Sequence, residues 1–179
     1  NSPYSLQLIK NNEEYTPETW HAWVEKADAR ALPGVKNYLL MCQEKGIMVF
    51  YISNRSQSQL NATIKNLTSL NLPFAEEPNV LLKQDESDKS ERRHQIESQY
   101  EVLLYIGDNL LDFDQRFVDR TDNFGKTTVQ NSLEEMLPRH LLLPNPLYGQ
   151  WESAFVYDKA LTPAQKAKKK VESATNREF

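Results

Sequence analysis

The feature that most constrains the fold is an alternation of amphipathic helical segments with short apolar runs. TPETWHAWVEKAD, PGVKNYLLMCQEKG, SQLNATIKNLTSLN and the polar KSERRHQIESQ are typical of helices, and IMVFYI, NVLLK and EVLLYI are typical of short buried strands. This order indicates a parallel sheet whose strands are joined by helices. The sequence therefore predicts an α/β fold in which the strands end at one edge of the sheet, where such folds bind ligands.

Local signals set the ends of several helices. Thr16 is a predicted N-cap with Pro17 at the first helical position, Gly46 ends the second helix, and Thr162 with Pro163 repeats the first pattern near the end of the chain. After residue 113 the pattern weakens. There FGKTTVQ predicts a short strand, SLEEMLP a helix, and RHLLLPNPLYGQW a proline-rich loop.

Length and charge restrict the classes of function. With 179 residues, of which 39% are hydrophobic and 26% charged, the chain fits a single domain with a real core. A net charge of -4 argues against a nucleic-acid polymer as the partner, because such binding generally needs a basic surface. No apolar run is long enough to span a membrane, and the chain does not open with a signal peptide, so we expect any export signal to lie outside it.

Polar residues follow two of the predicted strands. Ser53, Asn54 and Arg55 follow the first, where a hydroxyl and backbone N–H groups are suited to an anion, although taken alone they are better explained as caps of the next helix. Gly107 and Asp108 follow the third strand, and one helical turn places Asp112 on the same side as Asp108. Two neighbouring carboxylates suit Mg²⁺, but a glycine-aspartate turn before a solvated helix explains this pair as readily.

A lysine between these strands would complete a phosphate site. Lys83 and Lys89 both lie in LLKQDESDKSERRHQ, and either could reach the edge of the sheet, although lysines in charged segments usually face solvent. A hydroxyl, a lysine and an acid pair, in that order at successive strand ends, predict a phosphate site beside a divalent cation.

This ordered set resembles the second to fourth motifs of the haloacid dehalogenase (HAD) superfamily. GDNLLDF is similar to the G-D-N-L-x-D-F signature of class C acid phosphatases of the lipoprotein e type, and NSPY is similar to the end of their first motif. TWHAWV, LPGV, VFYISNR, KSERR and LPNPLYGQWE extend the resemblance over most of the chain. It implies an HAD-like three-layer α/β/α sandwich with a mainly parallel sheet, formed by residues 1–179 as one domain, with a small helical subdomain from about residues 4–30 plus 145–179.

The resemblance also implies roles for individual residues. Asp108 matches the direct Mg²⁺ ligand and Asp112 the second acid, which holds metal-bound water or orients its neighbours. Ser53 matches the hydroxyl that binds a phosphate oxygen, helped by the adjacent Asn54 and Arg55. Lys89 matches the phosphate-binding lysine, with Lys83 as the alternative.

Aromatic residues are implied on the leaving-group side. Trp20 and Tyr148, with Tyr4 nearby, match rings that stack on a nucleoside base or a pyridine ring, which would favour nucleoside monophosphates. Helical periodicity alone is also compatible with Trp20 in the core, and Tyr148 could belong to a turn.

The two catalytic aspartates of the family, a nucleophile and an acid/base, would lie immediately upstream of Asn1, together with the first strand. We therefore expect an exported, Mg²⁺-dependent acid phosphatase of small phosphomonoesters that acts through an aspartyl-phosphate.

Its expected location is the cell surface or outer membrane as a lipoprotein with an upstream lipid anchor, or the periplasm or exterior. A homodimer is left open, as is the alternative of a non-catalytic phosphate- or nucleotide-binding relative.

Overall fold

The computed structural model describes residues 2–145 and the single positions 149, 162, 165 and 168. Two compact units divide the chain, residues 1–100 and residues 101–179. In the described part no helix is both long and apolar enough to cross a bilayer. Whether the chain forms one domain with a separate helical subdomain stays a prediction, and most of residues 145–179 lie outside the described residues.

The first unit contains a β-α-β arrangement preceded by three helices. Its elements are α1 (Ser2–Asn11), α2 (Pro17–Glu25), α3 (Val35–Glu44), β1 (Tyr51–Ser56), α4 (Leu60–Ser69), β2 (Val80–Lys83) and α5 (Ser90–Glu97). Strands β1 and β2 pair in parallel, and α4 connects them. The predicted helices and the parallel pairing are confirmed here.

The predicted helix ends follow the expected chemistry. The Thr16 hydroxyl accepts a hydrogen bond from the Thr19 amide at 3.2 Å, and Pro17 opens α2. Gly46 adopts a φ of 72° two residues after the end of α3, a conformation that glycine adopts without strain. Near the end of the chain, Thr162 and Gln165 exchange hydrogen bonds as a capping pair, as the sequence predicts for a helix start.

The second unit pairs two strands that are distant in sequence. Its regular elements are β3 (Tyr105–Gly107), α6 (Lys126–Met136) and β4 (His140–Leu142). Strands β3 and β4 are parallel, with Gly107 opposite Leu142. This pairing carries the residues after β4 towards the end of β3, and it therefore shapes the loop that begins at Asp108.

Two predictions for this unit are wrong. FGKTTVQ is not a strand, because Gly125 has a φ of 79° and opens α6, and the helix overrides the β-preference of threonine and valine. RHLLL is not loop throughout, because its apolar residues form β4. The prolines of LPNP come only after that pairing ends.

Two predicted strands also differ in extent and burial. The first begins at Tyr51 rather than at Ile47 and continues to Ser56. The third is only three residues long and is not buried, since Leu103 is 56% and Ile106 44% exposed. Each pair has just two strands among the described residues.

The core of the first unit joins α1 and α2 to α4. Tyr4, Trp23, Val24 and Ala62 are buried together, and Trp20 packs partly against them. Asn66 of α4 is also buried, and its amide group bonds both polar atoms of the Ala29 backbone, at 3.2 Å to N and 2.9 Å to O. One side chain thus satisfies a partly buried backbone donor and acceptor after α2.

Replacing Asn66 by alanine should destabilise the protein by about 2–4 kcal/mol, because the amide and the carbonyl of Ala29 would both lose their partner. Chemical denaturation followed by circular dichroism measures the change. Asn61→Ala is the matched control, since Asn61 is exposed on the same helix, and it should shift the free energy of unfolding by less than about 0.5 kcal/mol. Equal effects of the two substitutions would contradict a structural role for Asn66.

Candidate active site

Ser53 lies inside β1, next to an irregularity of the strand. It pairs with Leu82, whereas the next paired residue is Ser56, opposite Lys83. Asn54 and Arg55 are therefore outside the register, as in a β-bulge. The Ser53 hydroxyl accepts a hydrogen bond from the Arg55 amide at 3.2 Å, which fixes the turn of the backbone at this point.

An arginine of α5 links this bulge to the loop before α5. The Arg92 guanidinium donates to the Ser53 carbonyl at 2.6 Å and to the Asn54 side-chain oxygen at 2.7 Å. It also donates to the Asp88 carbonyl at 2.9 Å, and the Asn54 amide donates to the Ser87 carbonyl at 2.9 Å. The two segments are thus fixed to each other through Arg92 and Asn54.

The two candidate lysines occupy different settings. Lys89 is the residue immediately before α5 and directly follows the loop that Arg92 binds. Lys83 is the last residue of β2, opposite Ser56. Lys89 therefore lies on the segment that is fixed to Ser53 and Asn54. The choice of Lys89 over Lys83 as the phosphate-binding lysine stays a prediction.

Arg55 extends away from the bulge into a half-buried position. Its guanidinium donates to the Thr63 hydroxyl at 3.1 Å and lies 5.8 Å from the centre of the Trp23 ring, a cation–π distance. Burial lowers the pKa of Arg55, since desolvation disfavours the charged form. Arg55 therefore joins the candidate phosphate segment to the aromatic core of the same unit.

The predicted substrate-stacking rings differ in burial. Tyr4 is only 6% exposed, and its hydroxyl is hydrogen bonded to the Thr19 hydroxyl at 2.9 Å. Trp20 is partly exposed and stacks on Trp23 with ring centres 5.3 Å apart. Tyr4 is thus mainly a core residue, whereas Trp20 keeps some accessible surface. Tyr148 lies outside the described residues.

In the second unit, the carboxylate of Asp112 folds back onto the end of β3. One of its oxygens accepts hydrogen bonds from the amides of Asp108 and Asn109, both at 3.0 Å. A 3-10 turn, Leu110–Asp112, makes this contact possible, and the Asn109 side chain caps it by accepting from the Leu111 amide at 3.1 Å. Gly107 is required here, because a β-carbon at that position would lie 2.6 Å from the same carboxylate oxygen.

Asp108 is hydrogen bonded by a residue of the segment that follows β4. The Asn145 amide donates to one Asp108 carboxylate oxygen at 3.0 Å. The strand register explains the contact: the Leu143 amide donates to the Gly107 carbonyl at 2.8 Å, and the chain then continues to Asn145. The carboxylate of Asp108 is therefore oriented by a side chain 37 residues away.

The side chains at this loop offer the oxygen ligands that a hard cation prefers, but among the described residues they are too few to form a complete metal site. Asp108, Asp112 and Asn145 offer oxygen atoms, the ligands that Mg²⁺ prefers. No group of three or more His, Cys, Asp or Glu side chains suited to a metal occurs in the described part of the chain. One Asp112 oxygen is already bonded to two backbone amides, which suits a residue that orients the loop around a ligand such as Asp108.

Sequence reasoning missed Arg92 and Asn145. Arg92 sits in the first turn of α5, where a positive charge is unfavourable next to the helix dipole, and this is a signal that the residue has a specific partner. Asn145 gives no comparable signal, because its contact depends on the pairing of β3 with β4.

Gly107→Ala should destabilise the protein by roughly 1–3 kcal/mol, since the new methyl group would displace Asp112 from the amides of the loop. Gly34→Ala is the matched control: Gly34 has a φ of 83° but open space around it, so its cost of about 1 kcal/mol is conformational only. Thermal unfolding of each glycine variant, measured with and without the additional substitution Asp112→Ala, separates the two effects. Gly107→Ala should cost much less in that background, whereas the cost of Gly34→Ala should not change.

Comparison with known proteins identifies the family. The family model described as HAD superfamily, subfamily IIIB (acid phosphatase) matches residues 1–151. The class C acid phosphatase from Bacillus anthracis is similar in structure, with a TM-score of 0.87 and 33% sequence identity over 100% of this chain and 74% of that chain. The same enzyme with tungstate bound gives a TM-score of 0.87 at 34% identity, with the same coverage. The resemblance inferred from the motifs and the HAD-like α/β fold are thereby confirmed, and the chain belongs to the HAD subfamily IIIB acid phosphatases, which are phosphomonoester hydrolases.

Proposed function

We propose that the protein hydrolyses its phosphomonoesters with the help of Mg²⁺ and prefers nucleoside monophosphates at acid pH. The observation that carries the metal part is the loop after β3, where Asn145 and the Asp112-capped backbone orient the Asp108 carboxylate. Orientation of a ligand by neighbouring polar groups is typical of metal sites in proteins. Phosphomonoester hydrolysis itself follows from membership of the family.

In this proposal Asp108 is the direct ligand of the cation and Asp112 holds the loop in place. A bound divalent cation would offset negative charge on the phosphoryl group in the transition state. Further ligands would come from the first motif of the family, upstream of Asn1. The carboxylate oxygens of Asp108 fit Mg²⁺ better than a softer metal.

Ser53 and Lys89 are proposed to bind the phosphoryl oxygens. Ser53 supplies a hydroxyl donor, and Lys89 supplies a positive charge at the start of α5, where the helix dipole adds to the attraction for an anion. Asn54 uses its oxygen for Arg92 and one N–H for Ser87, so its contribution is chiefly to the shape of the loop. A tungstate-bound relative suggests tungstate, also a tetrahedral oxyanion, as a probe of this site.

The nucleophile and the acid/base are proposed to be the two aspartates of the family's first motif, upstream of Asn1. The nucleophile would form a bond to phosphorus as the ester oxygen leaves with a proton from the acid/base. Water would then hydrolyse the aspartyl-phosphate and regenerate the carboxylate. Two aspartates separated by one residue just before Asn1 would support this assignment, and any other pair there would favour a non-catalytic phosphate-binding protein.

Export, either to the cell surface or outer membrane with a lipid anchor or to the periplasm or exterior, is a prediction from the resemblance, and a homodimer is left open. Fractionation of cells and light scattering of the purified full-length protein would test them. They do not affect the chemistry proposed for Asp108.

Asp108→Asn in the full-length protein should lower kcat by at least about 100-fold, because the neutral amide binds the cation poorly while its oxygen can still accept the Asn145 hydrogen bond. Phosphate release at several Mg²⁺ concentrations measures the loss. Asp122→Asn, an exposed aspartate in the same unit, is the matched control and should leave kcat unchanged. Full activity of Asp108→Asn would refute the metal assignment.

Trp20→Leu should lower kcat/KM for nucleoside monophosphates by roughly 5- to 150-fold relative to sugar phosphates, since stacking of one base contributes about 1–3 kcal/mol. Tyr15→Leu is the control, because Tyr15 is 60% exposed in the same aromatic group but is not a predicted substrate contact. A uniform loss on all substrates by Trp20→Leu would indicate a packing role only.

A further inference from the structure

We propose that Arg92 is the positioning residue that holds Ser53 and Lys89 in the arrangement that binds one phosphoryl group. This inference rests on the proposed function, because it assumes that Ser53 and Lys89 contact phosphate. Arg92 itself is assigned no contact with the substrate.

The hydrogen bonds of Arg92 connect two segments that are remote in sequence. One nitrogen bonds the Ser53 carbonyl at 2.6 Å, and the other bonds the Asn54 oxygen at 2.7 Å and the Asp88 carbonyl at 2.9 Å. The same nitrogen lies 3.4 Å from the Glu86 carbonyl and 3.5 Å from the Ser87 carbonyl. These acceptors belong to the candidate phosphate bulge and to the loop that leads directly to Lys89.

A planar guanidinium is needed for this arrangement. It presents donors in fixed directions to several acceptors at once, whereas a lysine presents one flexible ammonium group. Ordinary helix stability does not explain Arg92, because a positive charge in the first turn of α5 opposes the helix dipole. The hydrogen bonds to the bulge and the loop supply the compensating interaction.

The contacts of Asn54 make the link cooperative. Its oxygen accepts from Arg92 and its nitrogen donates to the Ser87 carbonyl at 2.9 Å, so the bulge and the loop are bridged twice. Removing Arg92 would release the Ser53 carbonyl, the Asn54 oxygen and the Asp88 carbonyl together. Small displacements of groups that bind a reacting phosphoryl have large effects on rate, on the order of 100-fold for about 1 Å.

The test compares Arg92→Ala and Arg92→Lys with Ser53→Ala and Lys89→Ala in the full-length protein with Mg²⁺. The readouts are kcat, KM, the inhibition constant of inorganic phosphate and the unfolding temperature. Arg92→Ala should lower kcat/KM by about 100-fold and weaken inhibition by phosphate by about 10-fold. Arg92→Lys should lie between Arg92→Ala and the wild type, because it keeps the charge but loses most of the simultaneous hydrogen bonds.

A double-mutant cycle separates positioning from general stability. If Arg92 acts through Ser53 and Lys89, Arg92→Ala should cost less than about 10-fold once both Ser53 and Lys89 are already alanine. Full multiplication of the two losses would overturn the positioning role. So would a lower unfolding temperature without any change in phosphate inhibition.

Arg116→Ala is the control for the loss of a multiply bonded arginine. Arg116 pairs with Asp114 and Glu135 in the other unit and should leave phosphate inhibition unchanged when replaced. If Arg92→Ala does not fold, the intermediate loss expected for Arg92→Lys carries the test. Wild-type behaviour of Ser53→Ala and Lys89→Ala would refute the proposed phosphate site itself. Losses in both, with normal behaviour of the Arg92 variants, would refute only the positioning role.

Discussion

Backbone polar groups must find new partners where the ladder of strand hydrogen bonds ends or is interrupted by a bulge, and this requirement organises both candidate loops. After β3, the amides of Asp108 and Asn109 find the Asp112 carboxylate. In β1, the Ser53 carbonyl finds the Arg92 guanidinium. In each case a charged side chain supplies the bond, and charge-assisted hydrogen bonds are stronger than neutral ones. The two loops are therefore held more firmly than ordinary turns.

The same requirement assigns different tasks to the two aspartates of GDNLLDF. Two carboxylates side by side repel each other, and hydrogen bonds from backbone N–H groups to one of them stabilise its charged form and offset the repulsion. Asp112 is in that position, and Gly107 leaves room for it. Asp108 is held differently, by a neutral amide from Asn145, which orients the carboxylate without neutralising it. This combination explains why a glycine precedes the first acid and why the second lies one turn later.

The parts of the structure that depend on neighbouring residues were predictable. The cap at Thr16, the glycine after α3 and the helical periodicity of α4 each rest on interactions within a few residues. Strand extents were less predictable, because the exposure of Leu103 and Ile106 depends on which strands pair. The contacts of Arg92 with Ser53 and of Asn145 with Asp108 span 39 and 37 residues, so no local pattern encodes them. The motifs therefore predicted the candidate site residues, whereas the residues that support them could be identified only from the three-dimensional structure.

Burial in the core of the first unit limits which aromatic residues are accessible to a substrate. Tyr4 and Trp23 are buried, and their rings lie 5.9 Å apart, so they are largely committed to packing. Trp20 stacks on Trp23 and keeps accessible surface, so between Tyr4 and Trp20 it is the ring that we propose to contact a base. The Arg55 guanidinium contacts the Trp23 ring, and the Arg55 backbone amide donates a hydrogen bond to the Ser53 hydroxyl. Packing around Trp23 thus supports the segment proposed to bind phosphate. We therefore expect a substitution of Trp23 to alter rate as well as stability, and one of Trp20 to alter chiefly the proposed substrate preference.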